Sequence, residues 1–166
     1  ERAVEFDRVN KEGDPAVVIA ARKNHMESFQ VLIGCVGVDL NSRDAKGNTA
    51  LIWCAWNANP HATKMLLDVG SGGGGRVVEV GAQNQFGHTA LMFAAERNDN
   101  VECLKLLIAA TTANNTNTDD NVVSLLDMKN SNGDTALLLA VKNKCIEAIK
   151  LLVAAGADVD IQDTTT

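Results

Sequence analysis

The sequence predicts an all-α solenoid of stacked helix–turn–helix units with β-turn fingers, and three observations predict it. The segment Gly47-Asn-Thr-Ala-Leu-Ile-Trp-Cys-Ala55 recurs as Gly87-His-Thr-Ala-Leu-Met-Phe-Ala-Ala95 and as Gly133-Asp-Thr-Ala-Leu-Leu-Leu-Ala-Val141. A weaker copy comes first, at Gly13-Asp-Pro-Ala-Val-Val-Ile-Ala-Ala21. Each copy is followed by a second apolar run: Val31-Leu32-Ile33, Met65-Leu66-Leu67, Leu106-Leu107-Ile108 and Leu151-Leu152-Val153. Composition agrees, because the 166 residues are 46% hydrophobic but only 4% aromatic, with no Tyr. Small, closely packed helices suit that mix better than aromatic-rich strands. One helix pair of this size cannot bury its apolar face alone, so the copies must stack.

The elements follow in chain order. Residues 1–9 are expected to be a remnant helix covering the first unit. An Asx residue stands three positions before each turn glycine (Asn10, Asp44, Asn84 and Asn130) and reads as a tight turn. In the first unit Asp14 is expected to cap the first helix, with Pro15 at the first helical position, which proline tolerates. Thr49, Thr89 and Thr135 offer hydroxyls to the free backbone N–H groups where the other first helices start. Second helices begin after a polar corner, of which Asn59-Pro60 is a cap followed by proline. The last of them carries Ile146, Ile149, Leu152 and Val153 at helical spacing around an outward Lys150. Successive turn glycines are 34, 40 and 46 residues apart, against a period of about 33. The excess maps to residues 69–78 and 110–123, between a second helix and the next turn. Gly70-Ser-Gly-Gly-Gly-Gly75 is expected to be a flexible loop. The stretch Thr111–Asn121 is expected to be too polar to join the core, an expanded loop or an adaptable contact.

Several function classes are disfavoured. Fifteen basic against 21 acidic groups leave a net charge of −6, a poor basis for holding phosphate backbones, so no nucleic acid is expected. No apolar run approaches a membrane span, and no targeting segment is visible. Cys35, Cys54, Cys103 and Cys145 lack C-x-x-C spacing and read as free thiols in a reducing, intracellular compartment, cytoplasmic or nuclear. Gly70, Gly72 and Gly75 satisfy G-x-G-x-x-G formally, but a helix precedes them and Val77-Val-Glu-Val80 follows, the wrong context for a dinucleotide. Arg76 stands where a P-loop needs Lys-Ser/Thr. Around Asn130-Ser-Asn132-Gly133 a calcium loop would need Met128 and Leu139 as ligands. His25, His61 and His88 have no ligand-spaced partner and are expected to face solvent. No catalytic constellation, metal or cofactor is expected.

The units resemble the ankyrin repeat: an Asx-x-x-Gly-x-Thr-Pro-Leu-His turn, two antiparallel helices and a Gly-Ala-Asp-Val-Asn exit. The exit stands here as Gly37-Val-Asp-Leu-Asn41 and Gly156-Ala-Asp-Val-Asp160. The resemblance implies four repeats over residues 10–42, 43–81, 82–127 and 128–160, with 161–166 starting an incomplete fifth. The chain is expected to be a piece of a longer one. It departs from the motif where Pro is replaced by Ala50, Ala90 and Ala136, and His by Val18, Ile52, Met92 and Leu138. In the family that His joins neighbouring turns through hydrogen bonds, so apolar packing is expected to replace those bonds. Trp53 and Phe93 are matched to the family's Leu and expected in the core, and Cys54 is expected as buried filler.

The resemblance further implies a non-catalytic protein-interaction scaffold, acting as a monomer, that binds a protein or peptide on its concave face. Turn tips and exposed first-helix positions form that face. The residues expected to contact the partner are Arg22, Lys23, Lys46, Trp56, Asn57, Gln85, Phe86, His88, Glu96, Arg97 and Lys142. Trp56 and Phe86 stand out in a chain so poor in aromatics, as hot-spot residues would. The alternative for Trp56 is that it folds against a neighbouring turn and covers apolar surface. A regulatory domain of a larger signalling enzyme or ion channel and a structural spacer are the other functional readings.

Overall fold

The computed structural model describes residues 9–71, 75–114 and 124–160. The expected N-terminal remnant up to residue 8, the middle of the glycine tract, positions 115–123 of the polar insertion and the incomplete fifth unit lie outside them. The described residues form four helix pairs: α1 (Ala16–Arg22) with α2 (Met26–Gly34), α3 (Ala50–Trp56) with α4 (Pro60–Ser71), α5 (Ala90–Ala95) with α6 (Val101–Asn114), and α7 (Ala136–Lys142) with α8 (Ile146–Ala154). A 3₁₀ turn, Asn98–Asn100, leads into α6. Among the described residues extended pairing is limited to isolated antiparallel bridges, Val9 with Pro15 and Arg43 with Thr49.

The first helices stack on one another in chain order, α1 on α3 on α5 on α7, and the second helices form a parallel row from α2 to α8. Leu51, Leu91, Ile52, Met92, Phe29, Leu66, Leu104, Leu107 and Leu152 fill the seam between the rows, with Ala50, Ala55, Ala90, Ala94, Ala95 and Ala140 wherever first helices touch. Small side chains let these helices approach closely, which explains how so few aromatics suffice.

Caps and turns are built from the repeated residues. Thr49, Thr89 and Thr135 hydroxyls accept from the N–H groups of Ile52, Met92 and Leu138. Asn59 Oδ1 accepts from the Ala62 N–H ahead of α4. In every turn the Asx Oδ1 accepts two backbone N–H groups, two and four residues on; Asn84 takes those of Phe86 and His88, both at 3.0 Å. The first unit differs from expectation. Pro15, in the place of the threonines, is itself the N-cap residue and α1 begins at Ala16 with no side-chain cap. Asp14 instead turns its carboxylate to Arg22, at 2.7 Å.

The two insertions also leave their helices later than expected. Helix α4 includes Val69, Gly70 and Ser71. Beyond the tract, Arg76 donates to the carbonyls of Ile33 and Val38 at 2.6 and 2.8 Å, and Asn41 holds both Val77 O and Glu79 N–H, so this part is pinned rather than loose. Helix α6 runs to Asn114, and Thr111 is buried in it. Thr111 and Thr112 satisfy their hydroxyls on the carbonyl of Ile108, so the polar composition does not prevent a helix here.

A candidate protein-binding face

The turn tips and the C-terminal ends of the first helices lie along one side of the stack, and hydrogen bonds lock neighbouring turns together. The N–H of Gln85 donates to Lys46 O at 3.0 Å, and the N–H of Ser131 donates to Phe86 O at 2.9 Å. Asn84 Nδ2 donates to Asn48 Oδ1 at 2.9 Å, and Asn130 Nδ2 lies 3.3 Å from His88 Nε2. Gln83 Nε2 bridges Gly87 O and Lys129 O, and Arg43 reaches Gln83 O. The expectation that apolar packing replaces the family's histidine hydrogen bonds is therefore corrected. Residues just after the turn glycines, Asn48 and His88, do that work from a different position. Their polarity at one register position was the signal available in the sequence.

On this scaffold an aromatic row joins two neighbouring first-helix regions, those of α3 and α5. Trp56, at the end of α3 and 50% exposed, meets Phe93 of α5 edge to face, with centroids 5.0 Å apart at 78°. Trp53 packs edge-on to Trp56 at 6.2 Å, and His88 stacks on Phe93 at 5.1 Å and 19°. Trp53 and Phe93 are thus half-buried members of the exposed side rather than core residues; Leu51 and Leu91, two positions earlier, take the deep sites. His88 does not face solvent, being held by Phe93, Asn130 and Glu96. Phe86 projects from its turn tip, 58% exposed.

Charge is arranged around this row. Trp53 Nε1 donates to the buried Asp44 carboxylate at 2.9 Å, and the Arg22 guanidinium lies 6.0 Å from the Trp53 ring centroid. Burial pushes the Asp44 carboxyl up, but hydrogen bonds from Asn48, Trp53 and Lys46 outweigh it and hold the group below its ordinary value. Glu96 Oε1 sits 3.6 Å from His88 Nε2. Burial holds its carboxyl above the ordinary range; His88 opposes the shift and Asp134 adds to it. Lys142 pairs with Asp134. Arg97 chelates Asp99 through two hydrogen bonds of 2.9 and 2.7 Å and donates to Trp56 O.

The structure sorts the expected contact residues. Trp56, Phe86, Lys23 and Lys46 present exposed side chains on this side, and Arg97 remains about half exposed. Asn57 is committed internally, and the exposed Gln85 is tied to the neighbouring turn. Asn57 Nδ2 donates to the carbonyls of Ala21 and Arg22 at the end of α1, and Gln85 Nε2 donates to Ala45 O. Arg22, His88, Glu96 and Lys142 form its charged and polar surround. For Trp56 the two readings meet, since it covers Phe93 while leaving half its own surface open.

Burial raises the thiols of Cys54, Cys103 and Cys145, away from the nucleophilic thiolate. Among the described residues no group of three or more His, Cys, Asp or Glu is placed to hold a metal ion, and no helix is long and apolar enough to cross a membrane.

Comparison with known proteins agrees with this architecture. Residues 74–163, more than half of the chain, match the family described as ankyrin repeats (3 copies), and residues 17–67 match ankyrin repeats (many copies). The chain is similar to the B-cell lymphoma 3 protein homolog of Mus musculus, 26% identical over 159 residues. That alignment covers 94% of this chain and 32% of the relative, so the chain spans about a third of the length of the curated protein it matches.

Proposed function

Because the chain belongs to the ankyrin-repeat family, whose arrays are protein–protein interaction modules, we propose that its turn-tip side, the concave face of such arrays, is a non-catalytic docking site for a protein or peptide. The observation that carries this reading is the half-exposed Trp56 seated on Phe93, with Phe86 standing free at the adjoining turn tip. Rings held by a hydrogen-bonded scaffold lose little further freedom on binding, so more of their buried area reaches affinity. Lys23 and Lys46 form a charged rim that sets orientation and association rate more than strength. The module acts as a monomer, and its unpaired cysteines suit a reducing cytoplasmic or nuclear compartment.

The test is selection of binding peptides on the chain, followed by titration of the same peptides against variants. Trp56→Ala is expected to weaken binding about thirtyfold, the size of a hot-spot loss of about 2 kcal/mol. Phe86→Ala is expected to weaken it to a lesser degree. Val31→Ala, an exposed site on α2, is expected to change nothing. Unaltered affinity in both aromatic variants would overturn the assignment of the face.

A further inference from the structure

Trp56, Phe93, Glu96 and Arg97 enclose a small notch of about 80 Å³ on the aromatic row. Its walls are two rings at 78° with centroids 5.0 Å apart, so they meet as a corner. An aromatic face carries negative potential and attracts a cation lying over it. The corner therefore favours positive charge before any ionised group is counted.

The surrounding ions add to that preference. Arg97 is neutralised by its two-point contact with Asp99, and Lys142 is engaged by Asp134. Glu96 is left as the local charge without a permanent counter-ion among these groups, since its contact at 3.6 Å is His88, charged only when protonated. Glu96, Asp99 and Asp134 against Arg97 and Lys142 sum to one negative charge at the notch. A half-buried carboxylate beside two ring faces gains from a cation what water no longer supplies. The volume suits the head of one unbranched side chain, being that of two or three waters at about 30 Å³ each.

We propose that the corner of Trp56, Phe93 and Glu96 is a seat for the ammonium head of a lysine presented by an exposed segment of the protein partner. This rests on the reading of the turn-tip side as the docking face, and it states what the partner brings there. The aromatic walls hold the methylene next to the ammonium while Glu96 balances its charge. Phe86, Lys23 and Lys46 contact other parts of the segment.

The test uses n-butylammonium as the probe and 1-butanol as its neutral counterpart, followed by the indole N–H signals in ¹⁵N–¹H spectra at neutral pH. The chain has two tryptophans, and Trp56→Phe assigns their signals. Butylammonium is expected to shift the Trp56 signal saturably at millimolar concentration, with butanol at least about fivefold weaker, the scale of one solvent-accessible cation–π contact. Glu96→Gln is expected to weaken the cation by a similar factor while its far-UV circular dichroism stays that of the parent. Equal binding of the alcohol, no Trp56 shift, or an unchanged titration in Glu96→Gln each overturns the seat. If these fail while Trp56→Ala still weakens peptide binding, the docking face stands without the lysine seat. If the cation binds but peptides ignore Trp56→Ala, the seat stands and the docking face falls.

Discussion

At the scale of single residues, local strain and local charge give the sharpest expectations. Ala58, just past α3, adopts φ 50°, as Asn24 and Lys144 do at φ 57° after α1 and α7. Asn visits this region readily because its side chain bonds locally, whereas Ala has only the steric cost. Ala58→Gly is expected to stabilise the chain by about 1 kcal/mol, read from the denaturant midpoint at unchanged slope. Glu96 gives a pH signature. Its folded-state carboxyl lies above the ordinary value because of burial, with Asp134 adding and His88 opposing. Stability from such a group is complete below its unfolded-state pKa and is lost as pH rises through the higher folded value. Glu96→Gln is thus expected to melt higher than the parent at neutral pH, and the advantage should shrink to nothing on acidification below the usual glutamate range. A constant difference across that range would refute the assignment. Neither effect was legible in the sequence: Ala58 reads as an ordinary corner residue and Glu96 as a rim charge.

At the scale of elements, the helices were read from their caps and apolar spacing because both signals are local. Thr49, Thr89 and Thr135 cap as their position demands. Helix ends were less legible, for each is decided by a neighbour. Asn57, expected to face a partner, closes α1 by donating to Ala21 O and Arg22 O across the repeat boundary. Asn57→Ala is therefore expected to cost about 1–3 kcal/mol of stability while leaving the affinity of selected peptides unchanged, measured by denaturation and titration of the same sample. Loss of affinity without loss of stability would return Asn57 to the binding face. Asn100 plays a related part for α3, donating to Ala55 O from a fully buried site. Helix α6 carries the same lesson, since Thr111 is polar in composition yet buried once its hydroxyl bonds to Ile108 O.

At the scale of the whole molecule, coupling between units is the property to test, because each repeat is stabilised through its neighbours. Gly13 and Gly87 both adopt positive φ, 84° and 73°, and pay the same backbone strain if replaced by Ala. They differ in surroundings. A Cβ on Gly13 meets Ala45 Cβ at a comfortable 3.9 Å, whereas on Gly87 it falls 2.9 Å from Asn130 Cα and Ser131 N. Gly13→Ala is expected to cost about 1–2 kcal/mol. Gly87→Ala should exceed it by a further ~1–3 kcal/mol and split the unfolding transition, as the last unit separates from the rest. Equal losses with one shared transition would show that the turn contact carries no coupling. By itself the sequence determined the repeat, its period, the tight Asx turns and the threonine caps of α3, α5 and α7, because each rests on residues within a few positions of one another. Only the tertiary structure decided which aromatics share a surface, which polar side chains tie turns together and which rim residues are already engaged. Those outcomes join residues some 35 to 45 positions apart, and the contacts exist only once one unit has stacked on the next.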